Sequence, residues 1–101
     1  MITVADEWMA DLPVLRPTSR IELWVQLRDQ LAERILDGRI PADYKLWSQQ
    51  DLAEALNVSR GTTIRAYEAL QQMGLVVRVA GKGIYSPLTE EIDEARKKLK
   101  R

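Results

Sequence analysis

"LWSQQDLAEALNVSRGTTIRAYEALQQMG", residues 46 to 74, holds two helix starts with almost nothing between them. Ser48 stands ahead of Asp51 and the apolar set Leu52, Ala53 and Leu56, with Asn57 closing the segment. Ser59 opens a longer periodic run that Gly74 ends. A serine before an apolar-periodic segment is a favoured N-cap, because its hydroxyl accepts an otherwise orphaned backbone N–H. An acid in the first turn suits the positive end of the helix dipole. Laid out at about 100° per residue, Thr63, Ala66, Tyr67, Leu70 and Met73 fall on one side of the longer helix, and Gly61, Ile64, Arg65, Glu68 and Gln72 on the other. The pattern predicts a short helix, a tight turn and a helix over about residues 59 to 73. Its first turn is odd: "SRGTT" loads it with hydroxyls, an arginine and a glycine, where plainer residues would make a better helix.

Upstream, Ser19 and Glu22 have capping-box spacing. Leu23, Leu27, Leu31 and Ile35 then line one face, with Trp24 beside them and Gly38 as the stop, which predicts a first helix over about residues 20 to 37. "RIPADYKLW" reads as a turn into a very short extended piece at Lys45 to Trp47. Ahead of all this, Ala5, Trp8, Met9 and Leu12 are spaced as on a helix before Pro13 and Pro17. Residues 1 to 17 are therefore expected to form a short amphipathic helix and an extended connector, serving as a packing arm or a dimer contact. Downstream, "LVVRV" and "IYS" are β-prone runs joined by "AGKG", a hairpin with a four-residue loop. The tail "LTEEIDEARKKLKR" puts acids first and bases last, in accord with the helix dipole, and carries a narrow stripe of Ile92, Ala95 and Leu99. It is expected as a weakly docked helix at the domain edge, with a dimer seam or a linker as the alternatives.

The composition of the 101 residues narrows the chemistry. With no Cys and no His, disulfides, thiol nucleophiles, His-based triads and the common zinc sites are excluded. Only carboxylates remain for acid/base work, and Glu90 with Glu91 reads as a solvated helix start, so no catalytic residue and no cofactor is assigned. No apolar run approaches the roughly 18 residues needed to cross a bilayer, and the start lacks a secretory signal, so a cytoplasmic location away from membranes is expected. The formal net charge is zero but unevenly spread. Residues 1 to 59 hold six basic against ten acidic side chains, residues 60 to 86 four against one, and the tail from 87 five against four. The four are Arg60, Arg65, Arg78 and Lys82, so the odd helix start opens the most electropositive part of the core.

Three helices, the second and third joined by a tight turn, followed by a hairpin, define a mainly α architecture with a small β-hairpin: a winged helix-turn-helix with short N- and C-terminal extensions. Its expected divisions are an arm over 1 to 17, the winged domain over 18 to 86, and a helix or linker over 87 to 101. That topology answers the question posed by "SRGTT". The first turn of a recognition helix enters the major groove, where backbone N–H groups, hydroxyls and arginine meet phosphates and base edges. Gly61 keeps that turn thin. The loop of Ala80, Gly81, Lys82 and Gly83 suits a wing resting on sugar-phosphate or in a minor groove.

The run "ILDGRIPADYKLWSQQDLAEALNVSRGTTIRAYEALQQMGLVVRVAGKGIYS", residues 35 to 86, resembles part of the DNA-binding domain of the GntR family of bacterial transcription regulators, and the resemblance covers residues 22 to 86. The elements that agree are "ILDGRI", "LWSQQDLAEALNVSR" where the family tends to show L-P-S-E-R-x-L-A-x-x-L-x-V-S-R, "AYEALQQMGLV", and the G-x-G wing at "GKG". The resemblance implies a double-stranded DNA partner, with Ser59, Arg60 and Thr62 approaching it at the recognition helix and Gly81, Lys82 and Gly83 at the wing. Arg60 matches the family's most distinctive recognition-helix arginine, whose expected target is a guanine edge or a phosphate. Ser48, Gln49, Gln50, Gly61, Ile64 and Arg65 complete the candidate set. Four departures stand out. Gln49 and Gln50 replace the usual Glu-Arg, Ile64 replaces a frequent arginine with Arg65 one step further round, Trp47 replaces Pro, and Asp43 replaces Gly. Gln50 could pair with an adenine and Ile64 could meet a thymine methyl, or Ile64 is simply boundary packing.

The resemblance also implies a transcriptional regulator, a repressor in the first instance, working as a homodimer on paired half-sites. Family members carry a C-terminal effector-binding or oligomerisation domain, whereas residues 87 to 101 are all that follow the wing here. The chain is therefore expected as a DNA-binding domain cut from a longer regulator or as a small stand-alone one, with no effector assigned. The rival reading is a winged helix used for protein contact, through its acidic half and the surfaces of Trp8 and Trp24.

Overall fold

The computed structural model describes residues 12 to 99, and the order of elements follows the expected one. Helix α1 spans Leu23–Leu36, α2 Gln49–Leu56 and α3 Arg60–Gln72; strands β1 (Val77–Val79) and β2 (Gly83–Tyr85) form the hairpin, and α4 (Thr89–Leu99) closes the chain. The helix expected ahead of Pro13 falls, but for Leu12, outside the described residues.

Three helices pack because each offers one apolar stripe. Leu27, Leu31 and Ile35 of α1, Leu52 of α2, and Ala66, Tyr67 and Leu70 of α3 are fully or almost fully buried in one cluster with Leu75, Val76 and Ile84. Two hydroxyls on the inner face of α3 then fix its angle. Thr63 Oγ1 shares its one proton between the carbonyl of Gln49 at 2.8 Å and that of Arg60 on its own helix at 2.9 Å, and Tyr67 Oη donates to the carbonyl of Trp47 at 2.8 Å. The Gln49 and Trp47 carbonyls lie at the entry to α2, so α3 is bolted to the place where its neighbour begins. The turn between these helices is made by Asn57, whose left-handed backbone (φ 55, ψ 49) ends α2, and by Ser59, the N-cap of α3.

The start of α1 departs from expectation. Ser19 and Glu22 form no capping box; the helix begins at Leu23, with Glu22 as an N-cap that makes no side-chain cap bond. Ser19 Oγ instead accepts from the N–H of Ile21 in a local turn, and the Glu22 carboxylate is taken by the indole N–H of Trp24. Serine offers its neighbours such a local bond in competition with the helix. What anchors this end is a seam of amides. Gln30 bonds both N–H and C=O of Val14, at 2.9 and 2.7 Å, and Gln26 does the same for Arg16, at 2.8 and 3.1 Å. Two glutamines one turn apart thus pair with alternate residues of the extended connector, as a neighbouring strand would.

The hairpin is tighter than expected. Val79 pairs with Gly83, which makes Gly83 the first residue of β2 and leaves a three-residue loop, Ala80 to Lys82, in place of four. A third edge joins it, because Lys45 bridges to Tyr85, Leu46 N–H donates to the Ile84 carbonyl and Ser86 N–H to that of Tyr44, each at 2.8 Å. Just before that edge, Asp43 stands in left-handed backbone at φ 57. Glycine at this position, as the resemblance leads one to expect, would enter that region without steric cost. The tail helix is docked: Ile92 and Ala95 are buried, and the Arg96 guanidinium donates to the carbonyl of Leu36 at the end of α1.

Burial pushes the Tyr67 phenol well above its ordinary 10.0. The folded state thus holds this proton more tightly than the unfolded chain does. Its contribution is complete below pH 10 and declines above, where only the unfolded chain readily ionises. Tyr67→Phe removes the hydroxyl bond to the Trp47 carbonyl, so it should cost about 0.5–1.5 kcal/mol at neutral pH in urea denaturation. Its stability should also decline less steeply above pH 10 than that of the unsubstituted chain.

Candidate nucleic-acid interface

The N-terminal turn of α3 stands out from the body of the domain. Ser59 Oγ accepts from Thr62 N–H at 3.3 Å and lies 3.1 Å from Thr62 Oγ1, so the two hydroxyls satisfy each other and close the cap. Between them, Arg60 and Gly61 are left exposed. Among the described residues Arg60 has no ion-pair partner, so its charge faces solvent. A Cβ added at Gly61 would meet only Ser59 Oγ, at 3.8 Å. The helix tip is bare on that side, with no side chain to hold another surface away. First-turn N–H groups and the dipole make such a tip attractive to anions.

The other candidates are placed unequally. Ser48 is exposed, and its hydroxyl is engaged in capping α2 through Asp51 N–H at 3.0 Å. Gln50 is exposed and lies 3.4 Å from Glu54 through its amide nitrogen, free to turn outward at little cost. Gln49 is half-buried, with its side-chain nitrogen enclosed and without a hydrogen-bond partner among the described residues. Ile64, on the side expected to face outward, is half-buried. Arg65 is exposed and stacks on Trp24 of α1.

At the wing, Gly81, Lys82 and Gly83 are all exposed, as is Arg78. One further cation belongs here that the sequence reading did not single out. A Cβ at Gly83 would come within 3.1 Å of Lys45 Cε, so the exposed Lys45 side chain lies across the bare backbone of that glycine. Gly83 also has φ +123, where a side chain is strained. The wing thus carries Lys45, Arg78 and Lys82 together. The available signal was the extended piece at Lys45 to Trp47, but its partner strand could not be read locally. Among the described residues no group of three or more His, Cys, Asp or Glu could hold a metal ion, and no helix is long and apolar enough to cross a membrane.

A bolted helix-turn-helix with an exposed cationic tip, flanked by a basic glycine-rich wing, defines a winged-helix domain of the kind found in DNA-binding transcription regulators. The model of bacterial regulatory proteins, gntR family, matches residues 23–85, and the chain belongs to that family. Among curated relatives it is similar to the HTH-type transcriptional repressor NagR of Bacillus subtilis, 33% identical over 66% of this chain and 28% of that protein. It is also similar to the probable rhizopine catabolism regulatory protein MocR of Rhizobium meliloti, 36% identical over 75% of this chain and 14% of that one. The chain thus spans less than a third of the length of either. Among solved structures, YtrA from Sulfolobus acidocaldarius, a GntR-family transcription factor, superposes with a TM-score of 0.72 at 26% identity, covering 85% of this chain and 76% of that one.

Glycine in the first turn weakens the helix, and the space beside it is open. Gly61→Ala should therefore raise stability by about 0.5–1 kcal/mol in urea denaturation. A loss of stability would mean that the tip is not the free helical turn described here.

Proposed function

We propose that this chain is a sequence-specific double-stranded DNA-binding module acting in bacterial transcription. The first turn of α3 enters the major groove, and the wing lies on the backbone or in the adjacent minor groove. The observation that carries this reading is the pairing of an exposed, uncompensated Arg60 with the bare backbone of Gly61, at a helix tip that nothing in the described chain covers. Arg60 addresses a guanine edge or a phosphate, the hydroxyl proton that Ser59 and Thr62 do not share between them is donated to a phosphate oxygen, and Gln50 reads a base from the start of α2. Lys45 and Lys82 hold phosphates at the wing.

Repression by occupying an operator is the regulatory outcome we favour, supported by the likeness to NagR, itself described as a repressor. We further propose that the module works as a homodimer in the cytoplasm. One copy offers few cations, and two copies on adjacent half-sites double the contacts and impose symmetry on the site. The alternative of a protein-contact module rests on the acidic half and the surfaces of Trp8 and Trp24; Trp8 lies outside the described residues, and the Trp24 ring has the guanidinium groups of Arg28 and Arg65 against it.

Selection of bound duplexes from a random pool, with sizing of the complex, is the deciding experiment. It should recover a two-fold symmetric sequence held by two copies. Arg60→Ala should abolish recovery while changing stability by no more than about 0.5 kcal/mol; unchanged recovery would refute the assignment. If Arg60, Lys45, Arg78 and Lys82 each neutralise a phosphate in both copies, log affinity against log salt has a slope of about −7. A slope near zero would contradict this model.

A further inference from the structure

Trp24, half-buried on the first turn of α1, has guanidinium groups against its ring from two sides of the fold. Its ring centroid lies 4.7 Å from Arg65 Cζ and 5.4 Å from Arg28 Cζ. The ring is itself held, since its N–H donates to the Glu22 carboxylate. A guanidinium over an indole face within about 6 Å is attracted by the negative face of the ring.

The two cations are not equivalent. Arg28 binds Asp29 through Nε at 2.9 Å and through Nη2 at 2.8 Å, so its charge is answered locally. Arg65 is exposed, and among the described residues it has no carboxylate partner. The carboxylate on the Trp24 side, Glu22, is occupied by the indole. Arg65 therefore presents a cation whose direction is fixed by stacking and whose charge is still unpaired.

That direction matters. Arg65 stands one turn behind Gly61 on the same stripe of α3, so it follows the bare tip into whatever the tip enters. Its side chain is drawn sideways toward α1. A helix seated in a groove about 12 Å wide has a phosphate backbone on each flank, and base edges only beneath its tip. A guanidinium held to one flank is positioned for a phosphate.

We propose that Trp24 is a positioning residue for DNA binding: its ring holds Arg65 as a ready-made phosphate clamp on the α1 side of the recognition helix. The proposal rests on the DNA-binding reading above and adds a contact that is independent of base sequence. Arginine ordinarily loses rotamer freedom when it makes a contact, and stacking on Trp24 has removed much of that freedom beforehand. Arg65 thus differs in task from Arg60, which projects at the tip and is free to address bases.

The test is a double-mutant cycle in the full chain. It uses the duplex recovered by selection and an unrelated mixed-sequence duplex of equal length, each titrated across salt. Arg65→Ala should weaken both duplexes by the same factor and reduce the salt slope by about 1 per protomer. Trp24→Leu should reproduce most of that loss, Trp24→Phe should retain most of the affinity, and Trp24→Leu should add nothing further once Arg65→Ala is present. Circular dichroism and urea denaturation confirm that each variant is folded under the assay conditions. Full affinity and slope in Trp24→Leu, or an equal further loss from it in the Arg65→Ala background, would overturn the clamp while leaving the Arg60 result intact. Absence of any duplex binding by the unsubstituted chain would overturn both readings.

Discussion

The attachment of α3 to the entry of α2 is the constraint from which the rest of the molecule follows. Thr63 and Tyr67 reach across to two backbone carbonyls, those of Gln49 and Trp47, two residues apart. Backbone acceptors do not swing as side chains do, so the pair fixes both the angle of the recognition helix and its position along its axis. Hydrophobic burial alone would leave sliding freedom, because apolar contact is non-directional. The two hydroxyl bonds remove it. With α3 fixed, Arg60, Gly61, Arg65 and Glu68 of its opposite side are exposed while Ile64 is half-buried, and Arg60 and Gly61 stand clear at the start of the helix.

Much of this was legible locally. Ser48, Ser59 and Asn57 mark helix ends through bonds to residues within a few positions, and such short-range chemistry survives into the fold. The inner side of α3 followed from its spacing alone. The capping box at Ser19 and Glu22 was misread for a reason also visible in the structure: Glu22 has a competing partner in Trp24, and Ser19 closes a turn of its own. Spacing states which bonds are possible and says nothing of rivals. The loop of the hairpin came out one residue too long because register is set by pairing, here Val79 with Gly83, and "AGKG" does not reveal where pairing ends.

What could not be read is of one kind. The contact of Lys45 with Gly83 and the stacking of Arg65 on Trp24 join residues about forty positions apart in sequence, and the seam of Gln26 and Gln30 depends on where the connector returns. None leaves a periodic trace. The identities of Gln26 and Gln30, polar and one turn apart on a helix, suit a solvated face equally well. Family departures proved informative in a physical sense. Trp47, in place of proline, is buried and adds its ring to the core cluster, and Asp43, in place of glycine, takes the left-handed backbone that the turn requires.

The glutamine seam has a consequence of its own. Every bond in it joins neutral amides, and mobile ions screen charges while leaving such short dipolar contacts almost untouched. The connector over residues 12 to 16 therefore keeps its seat in dilute buffer and in brine alike. Screening by added electrolyte acts on the charged surfaces of the molecule, and the strap along α1 is a neutral frame beside them.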